Sequence, residues 1–417
     1  MIKNLHLNES LSAIQKTNSG SYYTPKELVD IIHKWIQPYL KPDSIILDSA
    51  AGYGAFIHNI TNHPTIGIDI DPNAVKQLKT YKKTSAKLGN SLTQIDRKDW
   101  DIPTEKHLVT IGNPPYNDTT SKNKRAEKTE KVDMHPKVQS RDYGIAFLKS
   151  YCELTADVVC ILHPLSYLIK ETNFNQLKQF SGNYKLVKAA IFSSEKFPDT
   201  RGTPFPVLIA LYERNAFGMH YEDIYTFPFE ILDSEKIFRL SNIETIDGYI
   251  RKYPPTKKDN PISDIGLYFY SIRDTNSLIT SANFSEKEKF DKQITVNLKD
   301  FYKYAYLSCY KRYFGKDYLF GNVSPIIRSN EFKVNDSFQC ICIIDSILNN
   351  SKIVRFSDPH FLESIYKEVK NRHTKMTDND PYYIDIQKFL SGEKLPEKIF
   401  SDVLKEHFSS LKHSMLL

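Results

Sequence analysis

Ser44-Ile45-Ile46-Leu47-Asp48-Ser49-Ala50-Ala51-Gly52-Tyr53-Gly54 is the stretch that decides the fold. Its first half is a short apolar run ending in an acid, which reads as a buried strand. Its second half is a turn of small residues opening a helix, in which Gly52 and Gly54 let the backbone pass close to a ligand. Ile57 holds the place of the third glycine of a dinucleotide fingerprint, which argues against a pyrophosphate ligand. Thr65-Ile66-Gly67-Ile68-Asp69 repeats the strand-then-acid pattern, and Leu88-Gly89-Asn90 ends a third unit, so Asp48, Asp69 and Asn90 recur at intervals of 21 residues. Regular spacing of this kind predicts repeated βα units on a parallel sheet, an α/β fold that binds its ligand at the carboxyl ends of the strands. At such an end Asp69 can accept both hydroxyls of a ribose, and the Asn90 side chain can read an adenine amine.

A fourth apolar segment, Leu108-Val109-Thr110-Ile111, runs into Gly112-Asn113-Pro114-Pro115-Tyr116. Two prolines hold φ at about −65° and donate no N–H, so this is a rigid turn with free carbonyls. The Asn113 side-chain oxygen and the Pro114 carbonyl together can accept both hydrogens of an exocyclic amine, while Tyr116 offers a ring face to a planar base. Tyr253-Pro254-Pro255, with no apolar strand before it, is a turn or linker by contrast. Upstream, Gly20-Ser21-Tyr22-Tyr23-Thr24-Pro25 leads into a helix whose apolar positions 28, 29, 32 and 36 share one face, with Thr24 as cap and Pro25 in the first helical position.

Four strand ends in register, at Asp48, Asp69, Asn90 and Asn113, make a pocket. Beyond it, residues 117–141 carry Lys122, Lys124, Arg125, Lys128, Lys131, Lys137 and Arg141 with almost no aliphatic side chains, and are expected to close on a nucleic-acid backbone. Asp142 caps a helix presenting Tyr143, Ala146, Phe147 and Tyr151, and Val158–Leu162 is another buried strand ending at His163, expected to be structural. Residues 184–192 and 205–212 read as further strands, the second of them antiparallel.

The 417 residues exceed one ordinary domain, and 40% hydrophobic with 25% charged content describes a globular chain with apolar material for two cores. A net charge of +6 is a mild preference for acidic partners and no proof of nucleic-acid binding. Cys152, Cys160, Cys309, Cys340 and Cys342 sit among apolar neighbours, as free thiols do in a reducing cytoplasm, and none has zinc-ligand spacing, so no metal is expected. With no basic-then-apolar leader and no run long enough to span a bilayer, the expected location is cytosolic.

Together these motifs resemble the N6-adenine DNA methyltransferases, in the gamma-class order in which cofactor motifs precede the catalytic turn and target recognition comes last. The resemblance covers residues 20 to about 214. It implies a Rossmann-like methyltransferase sheet over residues 1–217 and an α+β target-recognition domain over 218–417. It also implies S-adenosylmethionine held by Gly20, Tyr23, Thr24, Pro25, Asp48, Ala50, Gly52, Gly54, Asp69, Asn90 and Asn113. Catalysis then falls to Asn113, Pro114, Pro115 and Tyr116 with Phe197 as a second ring against the base, Phe205 being its rival. Ser49, Ala51, Tyr53 and Asn90 depart from the family's Pro, Cys, Ser and Asp. The implied partner is duplex DNA, bound by a monomer, with a cognate restriction endonuclease encoded separately.

Asn113 disfavours N4-cytosine modification, for which Ser is usual. The alternatives are an RNA-adenine or protein-glutamine methyltransferase and a non-catalytic DNA-binding subunit; 47 residues before Asp48 and 301 after Tyr116 favour DNA. In the second domain, Phe301–Tyr306 and Tyr310–Lys316 interleave aromatic and basic side chains, a mix that suits phosphate contact plus stacking. Asp358, Glu368 and Lys370 echo a nuclease pattern, but Phe361, Leu362, Ile365, Tyr366 and Val369 mark an ordinary amphipathic helix, and no nuclease is expected.

Overall fold

A computed structural model describes residues 24–116, 133–198, 203–255, 263–286, 292–350, 353 and 359–416. Gly20 and Tyr23, most of the basic loop, and Asp358 lie outside them. The chain divides into two units, residues 1–240 and 241–417.

In the first unit the apolar runs become strands where the acids end them. These are β1 (Ile45–Asp48), β2 (Thr65–Asp69), β3 (Thr84–Leu88), β4 (Leu108–Gly112), β5 (Val158–Pro164), β6 (Tyr184–Ser193), β7 (Pro206–Arg214), β8 (Phe229–Ile231) and β9 (Ile237–Phe238). Their order in the sheet is 3-2-1-4-5-7-6-8-9. Strands β1 to β5 are mutually parallel, and β7 runs antiparallel between β5 and β6. The chain steps outward from β1 through β2 to β3 and returns to β4 on the other side of β1. That reversal splays the connections apart at the carboxyl ends of β1 and β4, the place where open sheets of this kind bind their ligands. This is the Rossmann-like methyltransferase sheet expected.

Helix α1 (Lys26–Ile36) buries Leu28, Val29, Ile32 and Ile36 against β5 and β7, in a core that also holds Ile46, Val109, Ile111 and Ile209. A smaller apolar cluster of Ala51, Ile57 and Leu78 seats α2 (Pro72–Leu78), which Asp71 caps through the Asn73 N–H. Helix α3 (Tyr143–Glu153) begins at Asp142, whose carboxylate accepts from the N–H groups of Gly144 and Ile145. Arg97 is a buried staple: its guanidinium donates to the carbonyls of Leu154, Pro103, Lys106 and Thr155 at 2.7–3.1 Å, tying together the segments that lead into β4 and β5.

Three local expectations change. Thr24 makes no cap: Pro25 stands in the N-cap position without a side-chain bond, and Thr24 turns elsewhere. The residues after Gly54 form successive turns rather than a helix. Histidine side chains bond the carbonyls a helix would use, His33 that of Phe56 (2.8 Å) and His58 that of Ala55 (3.0 Å). The first unit also reaches Leu240, past the expected boundary at 217, because β8 pairs in parallel with β6 and extends the sheet.

The second unit is α+β. A three-stranded antiparallel sheet, β11-β10-β12 (β10 Leu267–Tyr270, β11 Phe284–Ser285, β12 Gln293–Val296), accompanies α4 (Phe301–Tyr313), α5 (Asp336–Asn349), α6 (Pro359–His373) and α7 (Ser401–Ser414). The aromatic and basic run therefore falls mostly on one helix, α4, which ends at Tyr313 and packs on α5 and α7, with Phe301, Tyr304, Tyr306 and Tyr310 in the core. Their rings are not stacking platforms. The cations on α4 are engaged as well: Lys303 with Asp300 (2.6 Å) and Arg312 with the buried Asp345 (3.0 Å). Glu368, from the nuclease-like pattern, pairs along α6 with Arg372. All five cysteines are buried free thiols. Among the described residues, no helix is long and apolar enough to cross a membrane.

Candidate functional site

The site is built on the ends of β1 and β4. Gly112 closes β4 at φ +141°, and a Cβ there would stand 2.7 Å from Asp48 Oδ1, so only glycine lets the two strand ends meet. Asp48 is 2% exposed and accepts one bond from its own turn, from the Ala50 N–H at 3.2 Å. Burial, with a smaller contribution from the neighbouring Asp69, outweighs that bond and pushes the Asp48 carboxyl up to about 7. Gly52 follows at φ +49° with open space where a side chain would be. Its N–H donates to Asp69 Oδ2 (2.7 Å), and Asp69 Oδ1 takes the Asp71 N–H (2.8 Å). Gly54, at φ +84°, instead presses on Tyr81 and Leu78, which makes it a packing glycine.

Asn113 comes next on the rigid turn. Its Nδ2 donates to Thr24 Oγ1 at 3.3 Å across 89 residues of sequence. The Oδ1 atom is buried and has no hydrogen-bond partner among the described residues. An acceptor held dry and unpaired costs about 1–3 kcal/mol, so its persistence at a strand end marks a place for a donor. Pro114 is buried and Pro115 half-buried beside it. Tyr116 meets Phe205 edge to face, ring centroids 6.5 Å apart.

Phe197 is elsewhere: it is 1% exposed and packs against Phe192 in the core. The preceding Lys196 is tied to Glu27 (2.9 Å) and Asp233 (2.7 Å), which anchors that segment and turns the next side chain inward. Of the two rival rings, Phe205 is the one beside Tyr116. Asn90 is engaged locally, its Oδ1 accepting from the Leu92 N–H (2.9 Å) and its Nδ2 donating to the Asp133 carbonyl (2.9 Å). Its oxygen keeps one lone pair for a ligand. His163 is buried, bonded to the Tyr212 hydroxyl (2.7 Å) and to the Pro164 carbonyl (3.0 Å), and burial lowers it to about 4.

Two features escaped sequence reasoning. Ile70, between Asp69 and Asp71, is 65% exposed at the strand end, an apolar face left at the mouth of the site. A lone isoleucine between two acids, just past the end of the strand, is the signal that could have found it. Ser49, where the resembled family has Pro, bonds Tyr151 through its hydroxyl (2.9 Å) and takes the Ser91 hydroxyl on its carbonyl (2.7 Å). It thereby fixes the glycine turn to α3 and to the loop after β3.

The site thus offers a buried carboxyl, an open glycine turn, a half-occupied carboxylate, an exposed apolar side chain and an unpaired amide oxygen. A type II methyltransferase, M.CvrRI of Paramecium bursaria Chlorella virus XZ-6E, is 30% identical over 118 residues, 27% of this chain; the match spans 29% of that relative's length. The methyltransferase subunit of a type I restriction-modification system from Streptococcus thermophilus is similar at 15% identity and a TM-score of 0.34, over 46% of this chain and 45% of that one. The DrdV–DNA complex is similar at 13% and 0.38, over 54% and 29%. The profile of the N-6 DNA methylase family matches residues 7–217, about half the chain and the span that carries Asp48, Asp69, Asn90 and Asn113, and this chain belongs to that family.

Proposed function

We propose that the chain transfers the methyl group of S-adenosylmethionine to N6 of an adenine swung out of duplex DNA. The observation that carries this reading is the Oδ1 of Asn113, buried and without a hydrogen-bond partner among the described residues, at the carboxyl end of β4 beside β1. The residues present fit the cofactor: Asp48 is an acid for a cationic group, Gly52 leaves room for close approach, and Asp69 keeps lone pairs for hydroxyls. Ile70 supplies an apolar cover for the adenine ring of the cofactor. Bound there, S-adenosylmethionine supplies an electrophilic methyl group.

The chain's own contribution is alignment. Asn113 and the Pro114 carbonyl accept the two hydrogens of the amine, which turns the nitrogen lone pair out of the ring and toward the methyl group. Tyr116 offers its ring to the base, and Phe205, edge-on beside it, replaces Phe197 as the second aromatic contact. Unstacking a base costs a few kcal/mol, offset by those rings and by phosphate contacts. Target recognition falls to the second unit, through surfaces other than the interior rings of α4. A restriction-modification setting, with duplex DNA as partner and a separately encoded endonuclease, completes the proposal.

The test is to incubate purified protein with bacterial duplex DNA and methyl-labelled S-adenosylmethionine, then digest to nucleosides. Label is expected in N6-methyladenine. Label in another nucleoside, or none in DNA while the cofactor still binds, overturns the assignment of substrate. A second expected result concerns Ile70→Ser. Because the side chain is largely exposed, thermal stability should hold, while S-adenosylmethionine affinity by calorimetry falls about tenfold, the loss of one apolar contact of about 1.4 kcal/mol. Unchanged affinity removes Ile70 from the site.

A further inference from the structure

We propose that Gly144, Tyr167 and Asp142 are positioning residues, a support behind the catalytic turn that sets where Tyr116 stands; this rests on the reading of Tyr116 as a contact to the substrate base. Tyr116 is the last residue of the rigid turn. Behind it lies the first turn of α3, and the contact is made at Gly144. A methyl group on Gly144 would sit 3.0 Å from Tyr116 Cβ and 2.5 Å from the Tyr167 hydroxyl oxygen, so a bare Cα is all that separates the two tyrosines. Gly144 is helical, and its φ is not what requires glycine; the requirement is space.

The other side of that contact is immobilised. Tyr167 is fully enclosed, its ring stacked on His163 with centroids 5.4 Å apart and planes 9° from parallel. His163 in turn is bonded to Tyr212 on β7 and to the Pro164 carbonyl at the end of β5, so the stack is fastened to two strands of the sheet. The Tyr167 hydroxyl donates to Asp142 Oδ1. That same oxygen takes the Gly144 N–H (2.9 Å) and the Ile145 N–H (3.3 Å). One carboxylate oxygen therefore fixes both the hydroxyl and the backbone of the helix turn that touches Tyr116. Burial, then the Asp142 charge, holds Tyr167 well above its ordinary range, so it stays a donor at working pH.

Neither Gly144 nor Tyr167 is assigned an amine or cofactor contact, yet the space at Gly144 that Tyr167 closes from one side is closed from the other by Cβ of Tyr116, the root of the ring that must meet the base. A misplacement of about 1 Å at a reacting centre can cost about 100-fold in rate. The experiment is a double-mutant cycle on the full chain with labelled S-adenosylmethionine and bacterial duplex DNA, kcat and KM being separated and cofactor affinity measured alongside. Gly144→Ala should lower kcat about 100-fold and Tyr167→Phe about tenfold, with cofactor affinity within about twofold of wild type in both. In a Tyr116→Ala background each should cost less than about threefold more, because the element they act through is gone. Tyr167→Phe keeps the ring and its stack, so it carries the test even where the bulkier Gly144→Ala fails to fold. Losses that multiply with that of Tyr116→Ala, or a wild-type kcat for Tyr167→Phe, overturn the positioning role alone. Full turnover in Tyr116→Ala itself overturns the reading of the site on which the role depends.

Discussion

Asn113→Ala lowers turnover by about 10³-fold, the upper range for removing one preorganised polar group from a reaction centre, while S-adenosylmethionine binds as before. The expectation follows from how the two ends of this side chain are used. Its Nδ2 is fastened to Thr24 at 3.3 Å, which sets the orientation of the amide, and its Oδ1 is left buried and without a partner among the described residues. An amide oriented by one end and empty at the other is prepared for a donor that arrives with the substrate. Alanine removes the acceptor and leaves the prolines, Tyr116 and the Asp48–Gly112 contact in place. Because an unpaired buried acceptor opposes folding by about 1–3 kcal/mol, the variant should melt no lower than wild type. Asn113→Asp keeps acceptor oxygens at the same place and should recover part of the rate. The readouts are label incorporated into DNA, cofactor affinity by calorimetry and the melting temperature. A wild-type rate in the alanine variant removes Asn113 from the chemistry, and loss of cofactor binding together with turnover reassigns it to the cofactor pocket.

The parts of this site that sequence reveals are those decided within a few residues. Asp48, Asp69 and Gly112 each end a run of buried aliphatic residues, and a strand buried on both faces writes itself as such a run. The 21-residue interval then places the ends in register on a parallel sheet, whereas the reversal of strand order at β1 is not written in that spacing. What escapes is set at long range. Thr24 looks like a cap because the capping rule is local, whereas its observed partner is 89 residues away. Phe197 and Phe205 lie in similar contexts, and only the anchoring of Lys196 to Glu27 and Asp233 decides which ring turns inward. In the second unit, Tyr306 and Tyr310 read as nucleic-acid platforms by composition, but helices from elsewhere in the chain enclose them. Strands β8 and β9, three and two residues long, are too short to carry a period, so the reach of the sheet to residue 240 leaves no local trace.

Asp48→Asn is the second large effect, and it separates stability from function. In the folded chain the Asp48 carboxyl titrates at about 7, against 3.8 for a free aspartate, chiefly because it is enclosed. Folding therefore binds a proton between those values. A raised acid contributes its penalty as pH climbs: none well below 3.8, growing from there through pH 7 and constant above it, up to about 4 kcal/mol at about 1.4 kcal/mol per pH unit. Asparagine has the same shape, can still accept the Ala50 N–H, and carries no charge to desolvate. At pH 8 the apo variant should thus be more stable than wild type by about 2–4 kcal/mol, the gap narrowing as pH falls toward 4 and closing only below 3.8, where the wild-type carboxyl is neutral in both states. Comparing the two chains at each pH cancels the other carboxylates. Binding should move the opposite way. A cationic ligand beside Asp48 favours the ionised form, so wild type should bind S-adenosylmethionine more tightly as pH rises toward 7 and release a proton on doing so. The asparagine variant should bind about tenfold more weakly, with that pH dependence gone. Denaturant melts from pH 4 to 8 and calorimetry in buffers of different ionisation enthalpy measure both. A variant no more stable than wild type at pH 8 shows that Asp48 is not a strained acid, and unchanged affinity shows that the strain serves something other than the cofactor. Both changes together identify Asp48 as a group whose burial weakens the empty fold and strengthens the loaded one.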